Sequence, residues 1–231
     1  MIKTLIIMNI YLKEDKIATR NIRPGKKVYG EQLFSEKTTS NNEVESEGIE
    51  YRNWNPRRSK LAAAYLNGLK KLTIGENSKI LYLGASTGTT VSHISDLSRE
   101  GLIYAIEFST VTMRKLVRLS ENRPNIAPIL GDATKPKKYI NLLEKVDLLY
   151  CDVAQPNQTE LFMDNINLFL KEDGLGILMI KSRSIDVRGK PQKIFKQEEK
   201  KLIANGFKII EKVKLEPYEK DHICFLVEKS F

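Results

Sequence analysis

The sequence predicts an α/β fold: a doubly wound, mostly parallel sheet that ends in an antiparallel hairpin, with a small β-rich domain in front of it. Three observations predict it. Between residues 80 and 180, five short apolar runs alternate with helix-spaced segments, the signature of strand–helix–strand units. The last two apolar runs, 207–215 and 223–227, are separated only by residues 216–222. That connection is too short for a crossover helix, so the two runs pair antiparallel. Residues up to about 50 instead show short strand-like pieces and turn signals.

Taken in order, residues 1–50 form the small β-rich domain. Strand-like pieces lie at 5–12 and 27–34, the turn signal Arg23-Pro24-Gly25 falls between them, and the polar run 35–47 reads as an exposed loop. The apolar run in residues 1–10 is too short to span a membrane. It is followed by Lys13, Glu14, Asp15 and Lys16 with no small-residue cleavage site. No membrane association and a cytoplasmic location are therefore expected. Met8 is an alternative initiator to Met1.

Residues 51–231 form the larger domain. Its first helix is expected over 59–72, Ala- and Leu-rich, with Ser59 as its cap. Strands follow at 80–83, 102–106, 126–130, 146–151 and 176–180, then at 207–215 and 223–227. Helices are expected between them at 89–98, 110–121, 137–143, 159–170 and 193–205. The terminal hairpin fits a Rossmann-like methyltransferase sheet better than a plain dehydrogenase sheet. There is no internal repeat.

With 231 residues, 41% of them hydrophobic, the chain can bury a sizeable core and is not globally disordered. The net charge is +9, from 38 basic against 29 acidic residues. That excess suits a polyanionic partner, nucleic acid above all; the plainer reading is a solvated surface. Cys151 and Cys224 lie inside apolar runs and read as reduced core thiols, with no metal-ligand spacing around them.

In open α/β sheets, ligands sit at the carboxyl ends of the strands. The first strand there ends in a small-residue loop, residues 84–88, which opens a helix at Thr89 and Thr90. Gly84 and Gly88 let the backbone approach a ligand; the plainer reading of either threonine is a helix cap. The second strand ends at Glu107, roughly 20 residues past the loop, where a carboxylate takes the two hydroxyls of an adenosine ribose and disfavours a 2′-phosphate. Phe108 either stacks on an adenine or packs in the core. After the third strand, Asp132 suits an adenine amine and Ala133 offers its backbone N–H; the plainer reading of Asp132 is the opening of a turn toward Pro136. Asp152, Val153, Ala154 and Gln155 follow the fourth strand, and Lys181 the fifth. An ammonium placed directly after an apolar strand is costly to bury unless paired, and Asp152 on the neighbouring strand is the expected partner. Lys60 sits in the basic run Arg57-Arg58-Ser59-Lys60. His222, after Asp221, is on residue type alone more often half of a surface pair than a catalyst.

Several longer segments carry a resemblance. Residues 51–64 (YRNWNPRRSKLAAA), 81–90 (LYLGASTGTT), 152–156 (DVAQP), 180–186 (IKSRSID) and 217–222 (PYEKDH), with 24–30 (PGKKVYG) in the small domain, resemble archaeal fibrillarin. The generic methyltransferase loop carries an acid and a central glycine where this chain has Tyr82 and Ser86. The resemblance implies a guide-RNA-dependent ribose 2′-O-methyltransferase acting on rRNA and tRNA with S-adenosylmethionine. It also implies a catalytic set of Lys60, Asp152, Lys181 and His222. In that set Lys181 is expected to be the proton acceptor oriented by Asp152, with Lys60 and His222 positioning ribose and phosphate; base and orienter are interchangeable on sequence. The implied partners are a box C/D guide RNA, a Nop-domain scaffold and a kink-turn-binding ribosomal-type protein. Two other classes compete: a cofactor-binding but non-catalytic assembly subunit, and a small-molecule methyltransferase. The Lys60, Asp152 and Lys181 set speaks against the first and the basic excess against the second.

Overall fold

A computed structural model describes residues 5–7, 10–13, 16–36 and 48–230. The N-terminal sheet comprises β1 (Leu5–Ile7), β2 (Ile10–Lys13), β3 (Lys16–Arg20), β4 (Leu33–Glu36) and β5 (Ile49–Asn53), in the order β1-β2-β3-β5-β4 with every pair antiparallel. The strand expected over 5–12 is two strands folded back on each other, Leu5 opposite Leu12. The strand expected over 27–34 is mostly loop, with β4 starting only at Leu33. Side chains, not ladder bonds, hold that loop. The Glu31 carboxylate accepts from the Val28 and Tyr29 N–H groups, and Glu50 accepts from the Asn21 amide and the Gly25 N–H. β5 runs through the expected boundary after Glu50 and ends at Asn53. Of the expected loop 35–47, Ser35 and Glu36 end β4; residues 37–47 and both Met1 and Met8 fall outside the described residues.

The second sheet is the predicted one. β6 (Lys79–Leu83), β7 (Leu102–Glu107), β8 (Ile126–Leu130), β9 (Val146–Cys151), β10 (Leu170–Lys181), β11 (Phe207–Lys214) and β12 (His222–Lys229) lie in the order β11-β12-β10-β9-β6-β7-β8. β12 is antiparallel to both its neighbours; the other pairings are parallel. The strand order reverses between β6 and β9, and there the loops after the two strands leave a crevice. The helices are α1 (Lys60–Leu66), α2 (Thr89–Leu97), α3 (Thr110–Ser120), α4 (Gln158–Phe169), α5 (Ser182–Ile185) and α6 (Pro191–Ala204). The helix expected over 137–143 is two 3₁₀ turns, Pro136–Lys138 and Ile140–Leu142. Tyr139 between them is 2% exposed and stacks on Phe169, so this segment is anchored by one aromatic ring rather than by a helical face.

Strand alternation sends side chains to two cores. Ile80, Tyr82, Ala105 and Tyr150 face one layer with α1, α2 and the Met113 and Leu116 side of α3. Leu81, Leu83, Ile106 and Cys151 face the other with α4 and α6. Ile10, Ile17 and Trp54 extend the first core into the N-terminal sheet.

A buried charge cluster fastens that junction. Asp96 of α2 is fully buried. One of its oxygens accepts from Arg52 Nη1 of β5 and from the Thr19 hydroxyl of β3, each at 2.7 Å; the other accepts from Arg123 Nη1 at 2.7 Å and from the Ile22 N–H. Arg52 Nε donates to Glu31 at 2.6 Å. Burial acts to raise the Glu31 pKa, but Arg52 and the Tyr29 and Val28 N–H groups outweigh it and hold the carboxyl below its ordinary range. Two guanidiniums meet two carboxylates, so no net charge is buried. Asp96→Ala should therefore cost about 3–5 kcal/mol, because it leaves the buried Arg123 without a carboxylate and Arg52 with Glu31 alone. Urea denaturation measures this, and a loss below about 1 kcal/mol, the range of an exposed ion pair, would show that the cluster does not fasten the domains.

Candidate active site

Gly84 and Gly88 both take the left-handed conformation, φ +82° and +89°. At Gly84 a Cβ would lie 2.4 Å from the Asp152 carbonyl oxygen, so only glycine lets the loops after β6 and β9 close on each other. At Gly88, the N-cap of α2, a Cβ would meet Leu119 at 2.4 Å. Ser86 between them sits at φ +51°, a position that costs a side chain energy. Its compensation is visible: its N–H donates to Glu107 Oε2 at 2.6 Å. The other Glu107 oxygen accepts from the Ser109 N–H at 2.7 Å. The carboxylate is thus fixed by two backbone donors, one per oxygen, and each oxygen keeps acceptor capacity for a ligand hydroxyl.

Phe108 is 75% exposed, so the core reading of this residue fails and its ring is free at the mouth of the crevice. Asp132 does open a turn: its carboxylate accepts from the Thr134 N–H and hydroxyl, and its carbonyl from the Lys135 N–H. The Thr134 hydroxyl is the main cause that holds its pKa below the usual value. One Asp132 oxygen remains, 3.3 Å from Lys135 Nζ. The Ala133 peptide is oriented by Asn165, whose amide donates to the Ala133 carbonyl and whose oxygen accepts from Tyr139.

Thr90 is buried, and its hydroxyl donates to Ser59 Oγ at 3.0 Å. Ser59 is the α1 N-cap, accepting from the Ala62 N–H, as expected. The Thr90 hydroxyl proton thus ties α2 to α1 and is not free for a cofactor. Thr89 stays partly exposed, as do Val153, Ala154 and Gln155 after β9; the Gln155 carbonyl accepts from Gln158.

Lys60, the first residue of α1, makes an ion pair with Asp152, both side chains about one-fifth exposed. The partner expected for Asp152 was Lys181. Lys181 instead is exposed, and no carboxylate pairs with it among the described residues. The ammonium stands at the strand's end in solvent, so there is no desolvation for Asp152 to offset. Lys181 is nonetheless at the site: it lies directly across from His222 in the β10–β12 register, which puts both side chains on one face of the sheet. His222 is buried at 5% exposure and is not half of a surface pair with Asp221; Asp221 pairs with Arg183 instead. His222 Nδ1 lies 2.6 Å from the Lys220 carbonyl, so Nδ1 carries the proton and Nε2 is the free acceptor. Burial lowers its pKa and Lys60 adds to this, against weaker opposing pulls from the Lys220 carbonyl, Glu219 and Asp152.

Gln158 escapes any reading of the sequence by motif. Fully buried, it accepts from the Lys181 N–H and donates to the Lys181 and Gln155 carbonyls, so one amide sets the backbone beside two site loops. On the buried side of α4 it stands with Thr159 and Asn165 among apolar residues, a polar trio that is its one sequence signal.

A doubly wound sheet with a terminal antiparallel hairpin, a glycine loop at the switch point and an acid after the next strand defines a Rossmann-like methyltransferase domain. The chain belongs to the fibrillarin family, whose family model matches residues 2–230. A fibrillarin-like rRNA/tRNA 2′-O-methyltransferase of Methanothermobacter thermautotrophicus is 50% identical over 221 residues, 96% of this chain and 94% of the relative. Among solved structures, Aeropyrum pernix fibrillarin in complex with natively bound S-adenosyl-L-methionine superposes with a TM-score of 0.83 at 42% identity, covering 98% of this chain and 100% of that one. A fibrillarin/Nop5p complex does so with a TM-score of 0.84 at 42% identity and the same coverage.

The chain's two histidines supply a test of the site and the junction together. His93 is fully buried, and burial, with Arg52 and Arg123 nearby, holds its pKa well below 6.5. Both folded pKa values are thus lowered. The unfolded chain takes up protons near 6.5 that the folded chain refuses, so stability is lost as pH falls below that value. In NMR titrations both imidazoles should titrate below 6.5, and a His222 midpoint at or above it contradicts the buried, Nδ1-protonated ring.

Proposed function

We propose that this chain transfers a methyl group from S-adenosylmethionine to ribose 2′-hydroxyls of RNA, as the catalytic subunit of a guide-RNA particle. The observation that carries the reading is the convergence of Lys60, Asp152, Lys181 and His222 at the strand ends beside the glycine loop. A nucleotide cofactor fits the residues present: a close-approach loop, a backbone-braced carboxylate with spare acceptors, and an open aromatic face. Glu107 would take the ribose hydroxyls, Phe108 the adenine face, and Asp132 with the Ala133 N–H the adenine edge. Bound there, S-adenosylmethionine supplies an electrophilic methyl on a sulfonium.

The chain's own groups then align a hydroxyl and accept its proton. Asp152 fixes the Lys60 ammonium, and a paired cation is a positioning group for ribose or phosphate rather than a base. Lys181 pairs with no carboxylate among the described residues, and its amine is the group we assign as proton acceptor, with His222 beside it offering Nε2 to a hydroxyl. Support for the particle comes from the Nop5p complex of a relative. The box C/D guide RNA and the kink-turn-binding protein complete the proposal, and guide pairing leaves the chain no need for a base-reading module of its own. A cytoplasmic location goes with this reading; among the described residues no helix is long and apolar enough to cross a membrane.

Two outcomes test it. Glu107→Ala removes acceptors of charge-assisted bonds, each on the order of 1.5–3 kcal/mol, so calorimetry should show S-adenosylmethionine affinity falling at least tenfold. Lys181→Arg keeps the charge and removes the titratable amine. Single-turnover methylation by assembled particles should fall about 10²-fold or more, with cofactor affinity unchanged; a rate within severalfold of wild type leaves alignment and charge as the whole mechanism.

A further inference from the structure

A second feature lies outside the catalytic set. Between the N-terminal loop and α3 runs a cleft of about 550 Å³ whose floor includes Thr87 and Thr89 of the glycine loop and α2 start. Its walls carry Arg23, Lys26 and Lys27 from one domain, Arg58 from the approach to α1, and Lys115 and Arg118 from α3. All six are exposed, and among the described residues no acid lines the cleft. The nearby acids Glu31 and Asp96 are consumed in the buried cluster behind it.

The walls are held, not loose. Arg23 Nε donates to the Asn122 carbonyl at 2.6 Å, pinning the loop across the end of α3. Tyr29 is fixed by its hydroxyl on His93 Nε2 at 2.7 Å, and the Arg58 guanidinium lies over the Tyr29 ring, 4.9 Å from its centroid. Arg23 and Arg58 are thus fixed, and none of the six cations pairs with a carboxylate among the described residues, which leaves their charge for a ligand. Val28, Leu119 and the Tyr29 ring are the apolar side chains of a lining that is otherwise polar or cationic, and the Arg58 guanidinium covers that ring. A phosphodiester chain matches it. The cleft borders the glycine loop, since Thr87 and Thr89 line it, and Arg58 precedes Lys60 by two residues.

We infer that this cleft binds the phosphates of the RNA strand flanking the target ribose, and so sets which stretch of backbone lies over Lys60 and Lys181. The inference rests on the RNA methyltransferase reading but is tested without methyl transfer. Affinity of the full-chain protein for a labelled single-stranded RNA is measured against salt, for wild type, K26A/K27A, K115A/R118A and a control. The control, K196A/K200A, removes equal charge from exposed α6, which packs at the opposite edge of the sheet. Each cleft variant should bind at least about tenfold more weakly and flatten the slope of log affinity against log salt by about 1.4, two contacts' worth. The control should match wild type, and thermal midpoint and S-adenosylmethionine affinity should be unmoved throughout. Equal loss in the control, no loss in the cleft variants, or no RNA binding by wild type at low salt overturns the inference. So does unchanged RNA affinity with lost capture of the Nop-domain partner, which would make the cleft a protein-docking face. Failure of wild-type particles to methylate RNA would sink the enzymatic reading instead, and leaves the affinity ratios to judge the cleft.

Discussion

Asp96 is the constraint on which the arrangement depends. A fully buried carboxylate must find cations or lose its charge, and this one finds two, from β5 and from the residue that leads toward β8. It also takes a hydroxyl from β3 and an N–H from the N-terminal loop. Four donors from three separate stretches of chain therefore share one carboxylate on α2. Because α2 begins at Gly88, the same contact fixes the helix that closes the cofactor loop. Thr19 donates its only hydroxyl proton to Asp96, so His93 Nδ1 donates to Thr19. Burial favours the neutral ring, and in that form Nε2 accepts from the Tyr29 hydroxyl.

The charges at the strand ends follow a different rule. Lys60, Asp152 and Lys181 keep access to water, and His222 is the buried member. The cluster under α2 is neutral and closed, whereas the site is cationic, with two lysines to one carboxylate. That imbalance attracts phosphate and leaves one amine unclaimed. The hydroxyl link from Thr90 to Ser59 connects the two regions, since it joins the start of α2 to the cap of the helix that carries Lys60.

Much of this was legible in the residues. Period and apolar run length placed every strand of the larger sheet, because burial on both faces forces apolar side chains at nearly every position. The hairpin followed from a connection too short to cross over, and Ser59 from the local chemistry of an orphaned helix end. Glycine positions were readable for the same reason: only glycine tolerates the backbone at Gly84 and Gly88. The misreadings have a common cause. Residues 27–32 carry strand-like residue types, yet Glu31 binds their N–H groups and keeps them out of a ladder. Residues 137–143 have helical composition but are shaped by the burial of Tyr139.

What the sequence determined by itself is therefore local: element type, the glycine loop and the acid at Glu107, while the set of Lys60, Asp152, Lys181 and His222 came from the resemblance and stands as a proposal. What only the tertiary structure decided is pairing. Whether Asp152 meets Lys60 or Lys181, whether His222 is buried or stays with Asp221, and whether Thr90 faces a ligand or Ser59 depend on where distant backbones cross. An ion pair forms over a few ångströms between residues 92 apart in the chain, and no one-dimensional pattern encodes that distance. The basic cleft is of the same kind, since its two walls come from different domains and exist as one surface only because Asp96 holds those domains together.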